Sequence, residues 1–63
     1  MNVSDLDIDR SASLWFDRHG AAAVAEARKM VAGFQDLGDR GSADVWLRIL
    51  LAVETLRGSA HAA

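Results

Sequence analysis

Apolar residues recur at spacings of three and four through most of the chain, the period of an amphipathic helix. Ile8, Ala12, Trp15, Phe16 and His19 fall on one stripe, while Leu6 and Leu14 lie off it. This predicts a first helix over 5–18. Ser4 is placed to cap it, with Asp7 three residues on in a variant of the capping box, and the early aspartates suit the positive end of the helix dipole. Gly20 is the expected left-handed cap at the other end.

A second helix is predicted over 21–37, where Ala23, Val24, Ala27, Met30, Val31, Phe34 and Leu37 form a wide apolar arc and Glu26, Lys29 and Asp36 lie away from it. Its start is poorly marked and relies on alanine's propensity. Gly33 interrupts the arc at about 1 kcal/mol relative to alanine, a sign of a tight contact or of an imperfect helix. Gly38-Asp39 is the clearest boundary: a glycine to end one helix, an aspartate to cap the next. The third helix is predicted over 40–57, with Gly58 closing it and 59–63 left as a frayed tail. Val45, Ile49, Ala52, Val53 and Leu56 make its core stripe.

So short a connection folds helices two and three back as an antiparallel hairpin, with helix one packed across them. The expected fold is all-α, a small three-helix bundle forming one domain over 1–63. A chain of 63 residues buries only about 60% of the surface its unfolded form exposes. It has no cysteine, so neither disulfides nor thiolate metal sites can staple it, and self-association is the natural supplement.

The third helix carries more apolar residues than one stripe needs. Trp46 and Leu50 lie at an edge of the stripe, and Leu47 and Leu51 lie one turn apart beside Asp44 and Glu54, where a bundle helix should be polar. Trp46, Leu47, Leu50 and Leu51 are therefore the candidate interface, for a homodimer in which two copies of helix three face each other or for another protein partner.

The pattern Asp7-Ile8, Arg10-Ser11-Ala12, Leu14, His19-Gly20, Gly38-Asp39, Gly41, Val45-Trp46, Arg48-Ile49-Leu50, Ala52-Val53-Glu54 and Leu56 resembles a family of short proteobacterial proteins of unknown function. The resemblance covers most of the chain. It implies no activity, cofactor or binding residue.

Candidate chemistry is sparse. His19 and His61 are the only imidazoles, too few for a zinc site, and His19 reads as a helix-end residue bonded to a carbonyl of the last turn. Asp5, Asp7 and Asp9 point to different helix faces and serve the first turn, so they make no acid-base pair. Gly38-Asp39-Arg40-Gly41 lacks the strand and the lysine of a phosphate loop. Asp44 and Arg48 are spaced as a surface ion pair. No catalytic residue, cofactor or metal is expected, and the chain is read as not an enzyme.

With a net charge of -2 the chain has no footprint for phosphate backbones. A regulatory module binding nucleic acid through Arg10, Arg40, Arg48 and Arg57 is the alternative, and it requires those arginines to converge. Acids near the amino terminus argue against a secretory signal, and no apolar run approaches the roughly 20 residues of a membrane span. The expected setting is a cytoplasmic protein, complete as it stands, that acts as an interaction module or small accessory subunit.

Overall fold

A computed structural model describes residues 4–61, and every regular element among them is helical. Helix α1 spans Asp5–His19, α2 spans Ala23–Asp36 and α3 spans Arg40–His61, with a 3-10 turn, Gly20–Ala22, between the first two. Counted as unbroken helical runs there are two, 5–36 and 40–61, where the sequence predicts three separate helices.

The difference lies at Gly20. Its φ of 55° and ψ of -127° are not the expected left-handed helical cap but the mirror image of extended backbone, which glycine alone enters freely. Its N–H still donates to the Phe16 carbonyl, and the alanines that follow resume helical geometry at once. Gly20 thus bends one run instead of ending it. The start of α1 follows the sequence: Ser4 is extended, and its Oγ accepts the Asp7 N–H at 3.1 Å.

Between α2 and α3 the chain closes a Schellman motif. The Gly38 N–H donates to the Gln35 carbonyl at 3.0 Å and the Asp39 N–H to the Phe34 carbonyl at 2.9 Å, which satisfies carbonyls the helix end leaves open. This wrap requires the φ of 74° that Gly38 adopts. Asp39 then starts α3, its Oδ1 accepting the Ser42 N–H at 3.1 Å. Only Leu37, Gly38 and Asp39 separate the two helices. Gly58 does not close α3, which continues to His61. Gly58 has no positive φ, and a glycine near a helix end weakens it without breaking it. The predicted tail residues Ser59 to His61 are therefore helical, and 62–63 lie outside the described residues.

Both limbs of the first run pack on α3 and meet each other far less. Helix α2 lies antiparallel to α3, with Val24 and Arg28 beside Glu54 and Arg57, and Gln35 beside Arg40 and Ala43. Helix α1 crosses α3: Asp5 lies by Arg48, Asp9 and Ala12 lie by Ala52 and Leu56, and Leu14 and Trp15 lie by Trp46 and Ile49. Arg48, expected to pair with Asp44 along its own helix, donates to Asp5 Oδ1 at 2.7 Å across the α1–α3 interface. With Asp5 almost fully exposed, that pair contributes little. Among the described residues ten hydrophobic ones are buried, four of them alanines, and Val53 is the largest side chain that is fully enclosed.

The two glycines can be separated by mutation. Gly38→Ala should destabilise by about 1 kcal/mol because alanine strains at positive φ, whereas Gly58→Ala should stabilise by up to about 1 kcal/mol. Thermal melts followed by circular dichroism measure both; a stability loss in Gly58→Ala would mean that α3 ends there after all.

The cap carries a pH signature. Hydrogen bonds from the Ser42 backbone and then its side chain hold the Asp39 carboxyl below its ordinary 3.8. A depressed folded-state pKa means that this stabilisation is present above the unfolded value and is lost as pH falls through the folded one. Asp39→Asn, an equally good but neutral cap, should melt lower than wild type at neutral pH, with the difference vanishing well below pH 3.8.

Candidate protein-interaction surface

The four residues singled out on α3 do not share one environment. Leu47 and Leu51 are 44% and 57% exposed, a solvent-facing pair one turn apart. Leu50 is only 7% exposed and belongs to the core, so it is withdrawn from the candidate interface. The reason is tertiary: α2 lies over the side of α3 that carries Ala43 and Leu50, which widens the buried stripe beyond what a helix covered from one direction would show. Trp46 is half-buried and packs against the core, its ring meeting that of Trp15 edge-on, with centroids 4.8 Å apart and an interplanar angle of 70°.

Trp15 joins three elements. Its Nε1–H donates to the Ala23 carbonyl at 2.9 Å, tying α1 to the start of α2 across the Gly20 bend. Its other ring neighbour is His19, at a centroid distance of 4.0 Å and an angle of 43°. His19 thus closes α1 with its ring on Trp15, where the sequence suggested a carbonyl partner. Beside this cluster lies an open cleft of about 330 Å³ lined by Ser11, Leu14, Trp15, Arg18, Trp46 and Ile49.

The sequence reading missed the apolar flank of α2. Leu37, placed in the core arc, sits just past the end of α2 and is 79% exposed, and Met30 and Phe34 are only half-buried beside Lys29 and Gly33. The width of the arc was the available signal: it spans more of the helix than one neighbour covers, and α1 diverges from α2 instead of supplying a second. Leu6 and Leu14, off the main stripe of α1, are exposed as the spacing implied. All four aromatic residues, Trp15, Phe16, Phe34 and Trp46, stop short of full burial.

Charged groups offer little chemistry. No polar or charged side chain is buried among the described residues, and no three histidines, cysteines or acids there are grouped to hold a metal ion. Of Gly38-Asp39-Arg40-Gly41, the first two residues belong to the interhelical turn and the last two open α3. No helix among the described residues is long and apolar enough to cross a membrane. What the surface presents is apolar area in three places: the α1–α3 cleft with Leu14, the α2 flank, and the Leu47–Leu51 strip.

The reassignment of Leu50 can be checked against its neighbour. Leu50→Ala should destabilise by about 2–5 kcal/mol and Leu51→Ala, in dilute protein, by less than about 1 kcal/mol. Urea unfolding of the two variants measures this, and equal losses would contradict the burial described.

No protein-family model, curated protein or solved structure matches this chain, so the reading of its surface rests on its own geometry.

Proposed function

We propose that the protein is a non-enzymatic protein–protein interaction module, a small accessory subunit in kind, and that it self-associates. The carrying observation is that its largest apolar side chains remain open. Five leucines are strongly exposed while alanines fill much of the core. A second copy supplies what one copy lacks: a further layer of helices over the splayed α1 and α2, completing a bundle that a single chain leaves open.

The arginines give the nucleic-acid reading no comparable support. Arg40 and Arg57 are separated by seventeen residues of α3, about 25 Å along its axis. Arg48 is engaged with Asp5, and Arg57 stands beside Glu54. A cytoplasmic setting belongs to the proposal and suits a chain without cysteine.

Sedimentation equilibrium from dilute to near-millimolar protein tests the reading. The expected mass rises to twice 6.8 kDa with concentration. A monomer at every concentration overturns self-association.

A further inference from the structure

Resting on the self-association proposed above, we infer that two copies exchange α1: the run 5–36 straightens at Gly20, and α1 of each copy seats on α3 of the other.

The bend between α1 and α2 depends on one residue. His19, Ala22 and Ala23 all have right-handed helical backbone, and Gly20 alone in this stretch has a positive φ. Its N–H already donates to the Phe16 carbonyl, the bond a continuous helix would make. No side chain caps the elements that start after it, at either His19 or Ala22. The residues beyond it are Ala21, Ala22, Ala23, Val24 and Ala25, mostly the strongest helix formers. Rotation of the backbone at Gly20 therefore turns the bend into one helix about 48 Å long.

The other connection is built to stay closed. Gly38 and Asp39 donate back to carbonyls of α2, and the Asp39 carboxylate caps α3 through Ser42. The hinge is thus at Gly20, and the α2–α3 hairpin is the unit that stays together.

Straightening removes α1 from its own chain. The start of α2 lies against Glu54, Arg57 and Gly58, so a straight run carries α1 past that end of α3. Trp46, Ile49, Ala52 and Leu56 then lose their cover from Ala12, Trp15 and their neighbours. The piece that fits this bared face is α1 of a second copy, because the contact to be made is the one the single chain already contains. A two-fold pair satisfies both faces by the same exchange.

Two terms oppose the exchange. Association costs translational and rotational freedom, which favours the bent monomer in dilute protein. Opening also breaks the bond from Trp15 Nε1–H to the Ala23 carbonyl, eight residues on and about 12 Å away in a straight helix. Trp15 is thus the latch of the bend.

The test sets residues of opposite hand at position 20 of the full chain, annealed by heating and cooling at near-millimolar concentration. The Cβ of Gly20→Ala meets nothing within 4 Å, so the change acts on the backbone alone, strained at φ 55° and at ease in a straight helix. Sedimentation should show its dimer dissociation constant lowered at least about tenfold. A D-alanine there, introduced by chemical synthesis, suits the mirror-image extended geometry and should raise the constant by about as much. Exchange itself is read with Asp5→Cys/Arg48→Cys, which places the only two cysteines where α1 and α3 side chains meet at 2.7 Å. A short bismaleimide added just after dilution should link annealed dimers at twice 6.8 kDa on a denaturing gel, and never-concentrated protein at the single mass. Dimers linked only at the single mass, or a dissociation constant that Gly20→Ala does not lower, overturn the exchange while leaving self-association intact. A wild type that stays monomeric overturns both.

Discussion

Helix α3 is the one surface on which both limbs of the first helical run can bury their apolar faces, and the rest of the molecule follows from that sharing. Val53, fully enclosed, marks the depth of the core. Because α1 and α2 approach α3 from different sides, they leave one another largely uncovered, and the wall between them is never built. Trp15 and Trp46 are left half-buried, meeting edge-on beside the α1–α3 cleft.

The same geometry explains why the core is made of small residues. Ala12, Ala23, Ala27 and Ala43 let the helices approach closely, which suits tight packing but encloses little apolar volume. With no disulfide, and no buried polar side chain among the described residues, a domain of this size has little stability in reserve. Apolar association is the remaining source, and the large side chains are where such association would draw on it.

Much of the local structure was legible because it is set by neighbours within a turn of helix. Ser4, Gly38 and Asp39 act at the helix ends where the sequence places them, and the hairpin follows from three intervening residues. Gly20 and Gly58 show the limit of the same logic. Glycine permits a helix to end but does not compel it: at Gly20 the next alanines rebuild the helix after a bend, and at Gly58 the φ is not positive and the helix runs on. The candidate site was half legible. The spacing of Leu47 and Leu51 marks them as surplus to the stripe, and they are exposed; Leu50 and Leu37 traded places with expectation, one covered by α2 and the other left outside.

The sequence by itself determined that the chain is helical, where its two helical runs start, and that it holds more apolar residues than one stripe per helix needs. Those are properties of period, capping and composition, each fixed by residues close along the chain. Which of the apolar residues are left over was decided only by tertiary structure. A helical wheel gives the angle of each side chain about its own axis but not the number or direction of the helices packed against it. Leu50 was drawn into the core, while Met30 and Phe34 were left half-buried on the flank of α2 and Leu37 exposed past its end.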